Sequence, residues 1–302
     1  MGALDNKAVV VTGAGNGLGR AYAIAIASEC GRVVVNDIDA RAAEKVVTEI
    51  TEAGGKAVPN VGDIADWNAA GRLIEQCVGE FGVIDVLLNN AGIYHTTPIW
   101  EETRDAFRKT LEVNVTGTFN TTRHAVERMI PRKRGSIINV SSGAQSGIWG
   151  MSVYAATKGA VASFTYALAL ELAAYNIRVN ALSPLGATRG TGQRTGRPPL
   201  SPPENNAPMA LFLASDLSEN VTGQVIRMEG SVLSLFSHPK PSHPVVLPQG
   251  WTFDDMRRYF SETIGQHLEP VGIRAARYEY GGGLVQGSGQ VAREGQRSEE
   301  RR

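Results

Sequence analysis

Cysteine is almost missing from this 302-residue chain: Cys30 and Cys77 are the only two. That excludes a disulfide framework and a cysteine-based zinc site, and no His/Cys/carboxylate cluster suggests another metal. Net charge is missing as well. Thirty Lys+Arg are matched by thirty Asp+Glu, so no basic field exists to attract nucleic acid or an acidic membrane. No run approaches the roughly 20 apolar residues that span a bilayer. The opening MGALDNKAVVVTG enters a strand pattern at once, without the layout of a secretory leader. Asn6 stands where a myristoylation signal wants Ser or Thr. No internal repeat of fixed period is visible. These absences lead to the expectation of a cytoplasmic protein with no nucleic-acid or membrane partner.

What is present is ordinary globular composition, 42% hydrophobic and 20% charged, with a clear rhythm over the first 230 residues. Short β-branched runs alternate with longer helical patterns. AVVV (8–11), RVVVND (32–37), KAVPNVGD (56–63), DVLLNNAG (85–92), GSIINVSS (135–142) and NIRVNALSP (176–184) read as strands, and GQVIRMEG (223–230) as the last. A long helical stretch is expected around 103–130, and another holds Tyr154 and Lys158. Strands apolar throughout and separated by helices predict an α/β fold, a doubly wound parallel sheet of Rossmann type.

Two segments break this rhythm. RGTGQRTGRPPLSPPENN (189–206) is a Gly-, Pro- and polar-rich loop after the sixth strand, placed to border a substrate site. From Ser231 the chain leaves the alternation. Residues 231–280 carry enough Leu, Phe, Trp, Tyr and Val to pack on the globular body, with one amphipathic helix over 251–268 capped near Thr252 or Asp254. Residues 281–302 are rich in Gly, Gln and charge, the composition of a disordered tail. The expected division is 1–230, 231–280 and 281–302.

TGAGNGLGR (12–20) lies between the first strand and the first helix, with glycines at 13, 15, 17 and 19. Glycine lets a backbone turn sharply and approach a pyrophosphate, while the helix N-terminus offers free N–H groups. Asp37 closes the second strand. There a carboxylate accepts from ribose hydroxyls and repels a 2′-phosphate, and no Arg or Lys occurs at 36–40 or 14–18 to offset it. The other reading makes Asp37 a helix cap, as Asp39 is placed to be. Tyr154 and Lys158 stand one helical turn apart. By itself that spacing fits either a half-buried aromatic beside a solvated charge or a phenol whose pKa the ammonium depresses for acid–base work.

Together these residues resemble the classical short-chain dehydrogenase/reductase family over residues 5–230. Thr12, Gly13, Gly17 and Gly19 match its T-G-x-x-x-G-x-G, and NNAG (89–92) its fourth-strand signature. The resemblance implies an NAD site built from Gly13, Asn16, Gly17, Leu18, Gly19, Asp37, Asp63, Ile64, Asn90, Gly92, Tyr154, Lys158 and Thr188. In it Asp63 and Ile64 meet the adenine, Asn90 is near the ribose and Thr188 contacts the nicotinamide. It implies a catalytic set of Asn114, Ser142, Tyr154 and Lys158, with Asn114 positioning a water that relays protons from Lys158. Ser141 is 13 residues before Tyr154 and Ser142 is 12 before it. Ser142 is the better candidate, because a one-residue deletion fits more easily in the loop GAQSGIWGMS than in a buried strand. Two departures stand out: Leu185 follows Pro184 where the family usually has glycine, and the loop after Thr188 lacks a clear pair of lid helices.

The implied activity is NAD(H)-dependent interconversion of a secondary alcohol and its ketone. The cofactor half is also similar to the dehydrogenase part of peroxisomal multifunctional enzymes, which act on 3-hydroxyacyl-CoA and 17β-hydroxysteroids. Related bacterial enzymes accept other cyclic or bulky alcohols. An NADPH-dependent carbonyl reductase is the alternative within the enzyme class, and a non-catalytic dinucleotide-binding regulator the one outside it. The helices near 103–130 and 152–175 resemble the pair that forms a four-helix bundle between family subunits, so a homodimer or homotetramer is expected. His95 and Trp149 are placed where they would line a site mouth, or simply be a solvated loop residue and a packed one. Cys30 and Cys77 read as small buried or half-buried helix residues.

Overall fold

The computed structural model describes residues 2–186, 200–269 and 272. Thr188, most of the loop 189–206 and the whole tail 281–302 lie outside the described residues. Residues up to Phe236 form one compact unit, and a second begins at Ser237.

The seven expected strands are all present: β1 (Ala8–Val11), β2 (Arg32–Asp37), β3 (Lys56–Val61), β4 (Val86–Asn89), β5 (Gly135–Val140), β6 (Ile177–Leu185) and β7 (Val225–Glu229). An eighth, β8 (Val232–Leu235), follows a tight turn at Gly230. The sheet order is β3-β2-β1-β4-β5-β6-β7-β8. Every pairing is parallel except β7 with β8. Sequence pattern missed β8 because its side chains are exposed on both faces, so no burial period marks it. β3 departs from the expected apolar run for a similar reason: it is an edge strand and carries Lys56, Pro59 and Asn60.

Alternation along the central strands builds two cores. Val9, Val11, Val33, Val35, Leu88 and Ile138 face α1 (Gly17–Ser28), α2 (Ala40–Glu52) and α7 (Ala207–Ala214). Val10, Val34, Leu87, Ile137 and Val179 face α3 (Trp67–Phe81), α5 (Gly117–Met129) and α6 (Ser152–Glu171). Since successive side chains of a strand point to opposite faces, one β-branched run feeds both layers.

The expected helix over 103–130 is interrupted. α4 (Arg104–Leu111) passes into a π turn at Glu112–Thr116 and only then into α5. π turns of this kind are inserted where a side chain must be re-aimed, often at functional sites. The residue it carries inward is Asn114, fully buried. Cys77 is buried as expected, but Cys30 is exposed. It sits past the end of α1 at φ +65°, where the chain reverses into β2.

Within the second unit, Thr252 caps α8 (Phe253–Tyr259). Its hydroxyl accepts from Asp255 N–H while the Asp255 carboxylate takes the Thr252 N–H, a reciprocal capping box. The helix is shorter than the 251–268 pattern suggests. The Thr263 hydroxyl donates back to the Tyr259 carbonyl, and Gly265 N–H takes the Phe260 carbonyl, which ends the helical ladder.

Candidate active site

The strand order reverses between β1 and β4, and the crevice at their carboxyl ends is where an open α/β sheet binds a ligand. The glycine turn lies there. Gly13 has φ +59°, and a Cβ on it would meet the Ala91 backbone at 2.8 Å. A Cβ on Gly19 would be driven into the Gly13 carbonyl and to 2.5 Å from the Asn90 amide nitrogen. α2, α3 and α4 begin with side-chain caps from Asp39, Asp66 and Thr103, but Asn16 at the head of α1 makes none. The first N–H groups of α1 carry no side-chain cap, and a close backbone approach is kept clear by glycine. That cradle fits a pyrophosphate.

Asp37 takes the Gly15 N–H at 2.9 Å and the Asp39 N–H at 3.1 Å. Asp39, not Asp37, caps α2. The Asp37 carboxylate therefore points into the glycine turn, with lone pairs left for hydroxyls. Asp63 accepts from Ala65 N–H and reaches Lys109 at 3.4 Å, a cation that sequence distance concealed. The Ile64 side chain is buried in the core against Gly117, so only its backbone is placed to meet a ligand. The Asn90 amide nitrogen is committed to the glycine turn. It donates to the Thr12 and Gly13 carbonyls, both at 3.0 Å, and locks the turn. Leu18, in the first turn of α1, lies beside Gly186 at the end of β6. Thr188 is not among the described residues.

Four elements bring the catalytic candidates together. Ser141 and Ser142 follow the end of β5, α6 presents Tyr154 and Lys158, the π turn carries Asn114, and the loop after β4 supplies Gly92. The Ser142 side chain lies close enough to the Tyr154 phenol to pull its pKa down. Ser141 instead turns its hydroxyl to Gln145 and the Lys158 carbonyl, at 2.9 and 3.0 Å. The geometry thus separates two serines that spacing left ambiguous. Lys158 is 4% exposed and donates to the Val140 carbonyl at 2.6 Å. A Cβ on Gly92 would lie 3.5 Å from its Nζ and 3.3 Å from Asn114 Oδ1. Asn114 accepts from Ile93 N–H and gives both amide hydrogens away, to the Ile93 carbonyl and Thr157 Oγ1. Its side chain braces the loop against α6.

Electrostatics correct one expectation. Lys158 was to depress the Tyr154 phenol. Burial dominates instead, and pushes Tyr154 up to about 12, with the Ser142 hydrogen bond pulling down and Tyr94 pushing up. Burial alone holds Lys158 down at about 8. The Lys158 Nζ lies 5.6 Å from the phenol ring centroid.

Sequence reasoning missed Tyr94. Its ring lies 5.3 Å from that of Tyr154, tilted by 45°. A lone tyrosine in a loop carries no pattern, and only the fold shows what it faces. His95 is paired with Glu102 at 2.6 Å rather than free. Trp149 is half-buried in the loop that Thr97 N–H clasps through the Gly150 carbonyl at 2.7 Å.

Comparison with known proteins places this geometry among relatives. The model of the short chain dehydrogenase family matches residues 7–197. The chain is 36% identical to the 3-oxoacyl-[acyl-carrier-protein] reductase FabG of Thermotoga maritima, over 76% of this chain and 99% of that protein. It is 35% identical to the peroxisomal hydratase-dehydrogenase-epimerase of Saccharomyces cerevisiae, over 82% of this chain but only 29% of that one. The crystal structure of a short chain dehydrogenase from Mycobacterium avium superposes with a TM-score of 0.80 at 36% identity, covering 87% of this chain and 96% of that one.

The buried lysine sets a pH dependence. Below pH 8 Lys158 is protonated in folded and unfolded chain alike, and folding bears the full cost of dehydrating it. Between about 8 and its ordinary 10.5 the folded chain has lost the proton and the unfolded chain has not, so stability rises with pH through this residue. Tyr154, raised from 10.0, works the opposite way above pH 10. Lys158→Met should therefore raise stability at pH 7 by ~1–3 kcal/mol, the desolvation relieved less the hydrogen bond lost. Most of that gain should be gone at pH 9.5. Urea unfolding at the two pH values checks it, and a variant less stable than its parent at pH 7 would refute it.

Proposed function

We propose that this chain, which belongs to the short-chain dehydrogenase family, is an NAD(H)-dependent oxidoreductase that interconverts a secondary alcohol and its ketone. The observation that carries the reading is the Ser142–Tyr154 hydroxyl pair beside a buried Lys158, at the sheet edge that also bears the glycine turn. When bound, the nicotinamide supplies the hydride acceptor or donor. The chain supplies the rest. Tyr154 exchanges the proton on the substrate oxygen, and Ser142 hydrogen-bonds the same oxygen and fixes its place. At neutral pH the phenol holds its proton, the state that protonates a ketone as it is reduced. The reverse direction needs the phenolate, so it should run faster as pH rises toward the raised phenol pKa. Tyr94 gives the substrate an aromatic wall. The similarity to a 3-oxoacyl-[acyl-carrier-protein] reductase makes a 3-oxoacyl thioester the first substrate to try.

Asp37 sets the cofactor in this reading. Its carboxylate repels a 2′-phosphate by ~1–4 kcal/mol at about 4 Å, depending on how much water screens the pair. It also accepts from the ribose hydroxyls of NAD. A second copy of the chain is the expected partner. An apolar recess of about 370 Å³ on the outer face of α5 and α6, with Val115, Phe119, Ala160 and Phe164 in its lining, supports a two-fold dimer or tetramer through these helices.

Three outcomes follow. Tyr154→Phe should lower turnover at least ~100-fold while NADH binding is kept, and near-parental turnover would end the tyrosine mechanism. Steady-state kinetics with both cofactors should show at least ~100-fold higher kcat/KM with NAD, eroded in Asp37→Ala. Equal efficiency in the parent would mean that Asp37 serves only the glycine turn. Light scattering at micromolar concentration should report a dimer or tetramer, and a monomer would remove the helix-pair interface.

A further inference from the structure

Among the described residues, three buried side-chain polar atoms have no hydrogen-bond partner: Tyr22 Oη, Arg32 Nε and Asn206 Oδ1. The first two have plain settings. Tyr22 lies in the apolar core under α1, and Arg32 pairs its other guanidinium nitrogens with the Phe81 and Asn6 carbonyls. Asn206 differs, because it stands at the carboxyl edge of the sheet where the cofactor is expected.

Asn206 closes the 3₁₀ turn Pro203–Asn206 ahead of α7 and is 2% exposed. Its amide nitrogen faces the Leu185 carbonyl at 3.4 Å, at the end of β6. A carbonyl only accepts, so the amide is oriented nitrogen toward Leu185 and oxygen away from it. A Cβ on Gly186 would lie 3.0 Å from that nitrogen and 3.5 Å from Leu18 Cδ2. Asn206 thus borders two cofactor elements at once, the first turn of α1 and the backbone that follows β6. An Arg20–Glu204 ion pair at 3.5 Å ties its turn to α1. An aliphatic side chain would pack beside Leu18 and Ala207 without leaving an acceptor unanswered. A buried acceptor with no donor is costly, and such groups persist where something uses them.

We propose that Asn206 is a cofactor contact: its side-chain carbonyl accepts an N–H of the nicotinamide carboxamide at the end of β6. The proposal rests on the dinucleotide reading above. That reading lays the cofactor from Asp37 across the glycine turn toward Tyr154, so its nicotinamide end falls between Leu18, Gly186 and the catalytic hydroxyls. A carboxamide is a neutral group with two N–H donors, the complement of a neutral orphan acceptor.

The test compares three probes by calorimetry on the full chain: NAD, ADP-ribose and 3-acetylpyridine adenine dinucleotide. ADP-ribose lacks the nicotinamide, and the acetyl analogue lacks the N–H. The parent should bind NAD about tenfold more tightly than the acetyl analogue, the worth of one neutral hydrogen bond. Asn206→Leu should bring that ratio close to one and leave ADP-ribose affinity unchanged. If Asn206→Leu does not fold, Asn206→Ala gives the same ratio. An unchanged ratio in the variant, or a parallel loss of ADP-ribose binding, overturns the proposal in favour of a purely structural amide. A parent that binds ADP-ribose and NAD equally also overturns it. A parent that binds none of the three defeats the dinucleotide reading itself, a distinguishable result.

Discussion

The site depends on how β4 is tied to the glycine turn. Two side chains make the tie. Asn90 gives both amide hydrogens to the Thr12 and Gly13 carbonyls, and the Thr12 hydroxyl takes the N–H of Asn90 and of Ala91. These bonds bridge the strands between which the sheet order reverses. They hold the turn in a conformation only glycine tolerates at 13, and leave the head of α1 open. If the tie were lost, the pyrophosphate cradle and the loop leading to Gly92 and Asn114 would lose a common anchor.

A second polar set stiffens the catalytic end. Asn89 and Asn139, both buried, are bonded to each other at 3.0 Å. Thr121 and Thr122 from α5 and Thr165 from α6 satisfy their remaining groups. Because every member has a partner, the set specifies one packing of α5 and α6 on the sheet without leaving a buried group unanswered. α6 in turn carries Tyr154 and Lys158. The dry environment around both side chains also shifts their protonation. It raises the phenol and lowers the ammonium, so the neutral forms of both are favoured.

Several features could not be read along the chain. Ser141 and Ser142 differ by one position, and one residue along a strand end turns a side chain to the opposite face. One hydroxyl therefore meets Tyr154 and the other the Lys158 carbonyl. The π turn gives no composition signal, because it is set by the need to bring Asn114 inward between Ile93 and Thr157. Tyr94, Lys109 and Asn206 meet neighbours distant in sequence. Asp37 is a different case: its place at the end of a β-branched run marks it, and the structure adds only which backbone groups it meets.

The sequence by itself determined the parallel sheet, the two-layer core and the position of the glycine turn. Each of these follows from local period, side-chain branching and the sterics of glycine, which act over a few residues. It also determined which residues stand at the strand ends, and so the roster from which a site can be drawn. Tertiary structure alone decided which of two serines faces the phenol and which asparagine locks the turn. It also decided that Lys158 is buried, and that dehydration rather than its charge governs Tyr154. Those outcomes depend on distances between groups far apart in the chain and on the water excluded around them. Neither exists until the helices pack on the sheet.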